Sequence, residues 1–271
     1  MRITQPVMSA RYHEWFNLMD PDVLTRTYPT TRITHLLGSP LVGAFNVKYF
    51  LRGKVPFAHD FSAVNAKQRK QMTPAKNTTI VSPNVRLAYA DEDVEIYENR
   101  VGYRPRAFFA RSIAPVVGGI NEAKSALREW ARSDGTWEIN VVEAPTATDA
   151  ELLGMLGAPP QSATPLVIYP SQSEVAIESD SPHTALLVLN DLYEEGWSAT
   201  IDGKAAPVLP VNLVSRGVVV PPGRHLVHLT YWPPGLTAGL VISALSLAVL
   251  VLMLARSGYP RNRCRKQTEH R

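Results

Sequence analysis

The chain has 271 residues, of which 45 % are hydrophobic, enough for a sizeable core and against disorder as the default. Its 22 prolines, spread along the chain, exceed the usual share of about 5 % and argue against an all-α fold. The net charge of +4 is concentrated in the tail from Arg256 to Arg271: removing its six cations and its one acid leaves 22 basic and 23 acidic residues, which excludes an obvious nucleic-acid surface.

Residues 1–30, with Trp15, Phe16, Met19 and then Asp20-Pro21, read as a short helix and connector. Residues 31–143 read as an α+β subdomain. Within it, Asn46 to Leu51 alternates Val47, Tyr49 and Leu51 with polar neighbours, the period of a half-buried strand. The polar stretch from Asp60 to Asn77 predicts an exposed excursion. Val85–Tyr89 and Val94–Tyr97 alternate around Asp91-Glu92-Asp93, which predicts a hairpin with a charged tip. Asn121 to Arg132 has the composition of an amphipathic helix, with Ala126, Leu127 and Trp130 near one face. Trp137 to Val142 reads as the strand that follows.

Proline, threonine and glycine over residues 144–165 predict a linker. Residues 166–232 predict a compact antiparallel β-sandwich of six or seven short strands. Asp202-Gly203 signals a hairpin and Pro222-Gly223 a type II turn, because glycine takes positive φ without a steric penalty. The expected fold class is thus α+β to mainly β, followed by one transmembrane helix.

That helix is predicted over residues 236–255, LTAGLVISALSLAVLVLMLA, where 20 residues without a charge match a hydrocarbon core of about 30 Å. Tyr231 and Trp232 precede it and Tyr259 follows it, as expected for interfacial rings. The cationic tail, 256–271, belongs in the cytoplasm by the positive-inside rule, which puts the preceding residues outside the cell. The N-terminus, MRITQPVMSARYHEWF, carries no apolar run of secretory type. Two expectations compete. In one, the chain is the C-terminal part of a longer multi-span protein; in the other, it is a tail-anchored protein with its domain in the cytoplasm. The single cysteine, Cys264, allows no intrachain disulfide.

No nucleophile elbow, metal cluster or phosphate loop stands out, so the sequence points to no catalytic residue, metal or cofactor. The Asp91-Glu92-Asp93 triplet fits the acid-x-acid pattern of metal-dependent sugar transfer, but its place between strands suits a solvated tip. Asp191, Tyr193, Trp197, Asp202, Asn212 and Arg216 cluster in the sandwich sequence. Exposed rings among carboxylates and amides can stack on and hydrogen-bond a sugar. The competing reading is structural: Trp197 in the core, Asp202 in a turn, Asp191 on local backbone.

From Asn190 to Pro233 the chain resembles the C-terminal region of the YfhO-like family of bacterial multi-span membrane proteins. The residues that carry this are LVLNDLYEEGWSATIDGKAAPVLPVN and RGVVVPPGRHLVHLTYWPP, which lead directly into the apolar helix, together with FNVKYFL and VEIYENRVGYRPRAFFA upstream. Glu194-Glu195 stand where the family usually has a second aromatic and a proline. The family is similar to integral-membrane glycosyltransferases that use lipid-linked sugars, with the catalytic carboxylate in an early loop to which nothing here corresponds. The resemblance implies a non-catalytic extracytoplasmic module with a membrane anchor, its partners the lipid bilayer, an envelope glycan or lipid-linked sugar, and a multi-span membrane protein. The alternative is a tail-anchored structural or partner-binding protein without a sugar role.

Overall fold

The computed structural model describes residues 46–53, 84–92, 94–100, 102–132, 139–157 and 164–256, together with Arg11, Glu14, Trp15 and Leu18, which are helical. The excursion expected over 60–77, Asp93 of the acidic triplet and the tail beyond Arg256 lie outside the described residues. The chain divides into two units, Met1–Tyr231 and Trp232–Arg271.

The first unit is strand-rich. β1 (Tyr49–Gly53), β2 (Val85–Ala90) and β3 (Val94–Asn99) form an antiparallel sheet in the order β1-β3-β2. The hairpin expected at 85–97 is the β2–β3 pair, and at its tip the Asp91 carboxylate accepts from the Val94 amide at 2.7 Å and from the Tyr89 hydroxyl at 2.8 Å.

Two further sheets form the sandwich. The five-stranded one combines β7 (Leu166–Ser171), β8 (Glu174–Ser181), β10 (Trp197–Ile201), β11 (Lys204–Ala206) and β14 (Gly223–Tyr231) in the order β11-β10-β14-β8-β7. The six-stranded one combines β4 (Ala107–Phe109), β5 (Ser112–Val116), β6 (Ile139–Glu143), β9 (Ala185–Leu189), β12 (Leu209–Val211) and β13 (Ser215–Val220) in the order β4-β9-β13-β12-β6-β5. Between the sheets, Val175, Ile177, Ala199, Val227 and Leu229 of the first meet Phe109, Leu187, Leu189, Val218 and Val220 of the second. Each removes a side chain from water, worth roughly 1.5–3 kcal/mol for a residue the size of Val, Leu or Ile.

Pairing crosses the stretch that the sequence reads as a linker. Val142 of β6 pairs with Val211 of β12, so strands on both sides of residues 144–165 share one sheet. Within that stretch lies a helix, α2 (Ala147–Gly154), opened by a capping box in which Thr146 and Asp149 satisfy each other's backbone amides. It follows α1 (Ile120–Arg132), which links β5 to β6. These two strands run parallel, and parallel neighbours require a crossover of about this length.

Of the two helices, α2 covers the face of the six-stranded sheet that points away from the five-stranded one, while α1 packs on the opposite face at the β6–β5 end, since the neighbouring β6 residues Val141 and Val142 face α1 and α2 respectively. Ala123, Leu127 and Trp130 of α1 pack with Val141, Leu213, Val214 and Trp15. Leu153 of α2 packs with Val142, Leu186, Val188, Leu209 and Val211. With both faces covered, β9 has no need to alternate, which explains the unbroken apolar run ALLVL.

The second unit contains α3 (Leu236–Arg256), 21 residues with mean hydropathy 2.6 in its most apolar window and no buried residue. It is long and apolar enough to cross a membrane. Trp232 donates its indole N–H to the Thr237 hydroxyl at 3.0 Å, fixing the ring near the helix start.

Candidate functional site

A charged cluster at the edge of the sandwich draws on both sheets. Its centre is Asp191, which follows β9. The residue before it, Asn190, fixes the turn: its amide N–H donates to the Arg106 carbonyl at 2.7 Å, its side chain donates to the Pro105 carbonyl at 3.1 Å and accepts from the Ser215 hydroxyl at 3.1 Å. Asp191 is thereby aimed at three donors. Arg106 Nε donates to Oδ1 at 2.9 Å, Tyr169 Oη donates to Oδ2 at 2.9 Å, and Arg216 Nη2 lies 3.2 Å from Oδ2.

The two arginines differ in environment. Arg216, on β13, has a side chain only 4 % exposed, whereas that of Arg106 is 55 % exposed. The Arg216 guanidinium lies 3.7 Å from the centroid of the Trp197 ring, and that of Arg106 lies 4.3 Å from the centroid of Tyr169. Trp197 also meets Tyr231 with ring centroids 5.2 Å apart. Both aromatic rings are therefore already engaged by guanidinium groups, an attraction worth about 0.5–2 kcal/mol each.

Electrostatics follow from this placement. Burial brings the Arg216 pKa down to about 10, opposed by Asp191, so the group remains a cation at neutral pH. Burial, reinforced by the Asp191 charge and hydrogen bond, pushes the Tyr169 phenol well above its ordinary value. Partial burial works against the Arg106 charge, yet the Asp191 hydrogen bond and charge outweigh it and the pKa rises. Arg216 Nη1 is buried and has no hydrogen-bond partner.

Of the six residues that the sequence singles out, the structure gathers Asp191, Trp197 and Arg216 here. The other three sit elsewhere. Tyr193 is grouped with Arg11, whose guanidinium lies 4.9 Å from its ring centroid and which forms a bidentate pair with Glu143. Asn212, at φ 49°, accepts from the Val141 amide at 2.9 Å and donates its own backbone N–H to the Val141 carbonyl at 2.8 Å, which completes the β12–β6 junction. A left-handed backbone that asparagine tolerates accounts for it.

Asp202 belongs to the β10–β11 turn, at φ 50° before Gly203 at φ 80°, the two positive values of a type I′ hairpin. Its carboxylate accepts from the Leu226 amide at 2.9 Å and contacts His225 Nδ1 at 2.6 Å, while His225 Nε2 lies 3.0 Å from the Pro222 carbonyl oxygen. Two oxygen acceptors on one ring require both nitrogens to carry protons. The Asp202 hydrogen bond, then that to Pro222, raises the His225 pKa; the His225 hydrogen bond, then the Leu226 amide, lowers that of Asp202. A raised histidine pKa gives stability that is full below its unfolded value of 6.5 and is lost as pH rises through the folded value; the lowered carboxyl gives stability lost as pH falls below 3.8. The apparent Tm is therefore expected to fall as pH rises above 6.5, and His225→Gln to flatten that slope. Parallel pH profiles of the two proteins sink the assignment.

Arg106 and Tyr169 are the site residues that the sequence did not single out. They lie 85 and 22 positions from Asp191, and only pairing across the sheets brings them to it.

Residues 163–243 match the family model described as "Bacterial membrane protein YfhO". The C-terminal region of the chain is YfhO-like, and the matched span runs from the residues before β7 through β14 into the first part of α3. It includes Tyr169, Asp191, Trp197 and Arg216 and excludes Arg106. No curated protein and no solved structure matches the chain.

Proposed function

We propose that this chain is a non-catalytic extracytoplasmic module and membrane anchor of a YfhO-like membrane protein, serving the handling of a cell-envelope glycan or lipid-linked sugar. The observation that carries the reading is the continuity of the family match across the last sandwich strands and into the apolar helix. Sandwich and span are one inherited unit on this reading, so the domain works at a bilayer rather than free in solution. The bilayer is the solvent of α3, whose exposed face of Leu, Val, Ile and Met is suited to lipid.

Orientation follows from charge. Six cations from Arg256, the last residue of α3, to Arg271, against none from Thr230 to Gly235, favour a cytoplasmic tail and an external sandwich. The single native cysteine makes this directly testable. In cells expressing Gln172→Cys in a Cys264→Ser background, a membrane-impermeant maleimide is expected to label position 172 without permeabilisation; Gln172 is exposed in the β7–β8 turn. In the native chain, Cys264 should react only after permeabilisation. The reverse pattern would make this a tail-anchored cytoplasmic protein and remove the envelope-sugar role.

A further inference from the structure

We propose that the Arg106–Asp191–Arg216 cluster is a binding site for a phosphate ester, the phosphate of either a soluble sugar phosphate or a bilayer headgroup. It deepens the envelope-sugar reading and rests on it for the sugar, not for the phosphate.

The argument begins with the charge count. Two guanidinium groups share one carboxylate, and among the described residues no second acid pairs with either. The cluster keeps one positive charge in excess. Arg216 is the buried member, and charges in a partly desolvated setting act at longer reach than in water. An anion arriving at the surface meets this field.

The donors are also in surplus. Asp191 engages Arg106 through Nε alone, so both Nη groups of this half-exposed side chain remain for a second anion. Arg216, whose unpartnered Nη1 is buried away from the surface, contributes its charge to the site while Arg106 supplies the accessible donors. Planar guanidinium forks suit the oxygens of a phosphate, bidentate and strongly hydrogen-bonded.

The site is pre-formed. Arg216 is held on the Trp197 ring and Arg106 over Tyr169, so little side-chain freedom remains to be lost on binding. Asp191 accepts from all three neighbours, and its role is positioning: it orients the two guanidinium groups and keeps Arg216 from being a lone buried charge.

The test uses the full chain in phosphatidylcholine nanodiscs, titrated calorimetrically with glucose 1-phosphate, inorganic phosphate and uncharged glucose. Saturable binding of the two phosphates, weakened as salt rises and about tenfold weaker in Arg106→Gln, is expected. Arg106 is exposed, so this variant does not put the fold at risk. Repeating the titration in a non-ionic polyoxyethylene detergent, which carries no phosphate, separates the sources: tighter apparent binding of glucose 1-phosphate there than in the discs places lipid phosphate on the same residues, and unchanged binding assigns the site to the soluble ester. No saturable phosphate binding in the detergent, or equal affinity in Arg106→Gln, overturns the proposal. If glucose binds as well as its phosphate, the phosphate assignment fails while the sugar reading stands; phosphate binding by a domain that maleimide places in the cytoplasm would leave the site and remove the sugar reading.

Discussion

Asp191→Ala is expected to destabilise the sandwich by about 3–5 kcal/mol, the range for leaving one partner of a buried ion pair uncompensated. The reason lies in Arg216. Its side chain is almost fully buried, and Asp191 is its paired carboxylate among the described residues. Arg106 can turn to water when Asp191 is lost, because more than half of its side chain is already exposed, but Arg216 cannot. Arg106→Gln should therefore cost less than about 1 kcal/mol, as exposed pairs do.

A double variant separates charge from shape. Asp191→Ala with Arg216→Met removes the buried charge together with its partner and keeps an unbranched side chain beside Trp197. Replacing both members of a buried pair is often close to neutral. Urea melts of the detergent-solubilised full chain should show the double variant more stable than Asp191→Ala alone. If the two losses instead add, Arg216 is held by something other than Asp191, and the cluster has been misread.

The cluster joins elements that the sequence does not place together. Period-2 alternation was sufficient for strands such as β3 and β14, and composition was sufficient for α3, because both signals are local. Long-range pairing is not local. Nothing in Ile139–Glu143 announces that it pairs with β5 across a helix and, through Val142 and Val211, with β12 much further along the chain, so the sandwich extends upstream of residue 166. Helix α2 lay beneath a proline- and threonine-rich composition, although Thr146 and Asp149 had the spacing of a capping box.

The site divides in the same way. Asp191, Trp197 and Arg216 were legible as polar and aromatic residues crowded into one stretch. Asp202 and Asn212 were drawn in by the same crowding, but their positive φ values mark backbone roles. Arg106 was hidden by distance, though it stands in the segment VEIYENRVGYRPRAFFA that carries the upstream family resemblance. Tyr169 carried no local signal other than its place in a strand.

Gly217→Ala is expected to cost about 1–3 kcal/mol, the range for forcing an extra carbon into a close-packed core. Gly217 pairs with Leu209 on one side and Val188 on the other, in the middle of the six-stranded sheet. A Cβ at this position would lie 2.6 Å from Val211 Cγ2 and 3.1 Å from Leu186 Cδ1, and both of these side chains are fully buried. Gly203 makes the contrast: its φ of +80° would strain any other residue, but a Cβ there meets nothing within 4 Å. Space, not backbone freedom, is what Gly217 supplies. If so, trimming the opposing side chain should relieve the clash, and Gly217→Ala with Val211→Ala should be less destabilised than the sum of the two single variants. Strict additivity in the melts would mean that the sheet shifts to admit the new carbon, and that the β12–β13 pair is less rigidly set than its packing indicates.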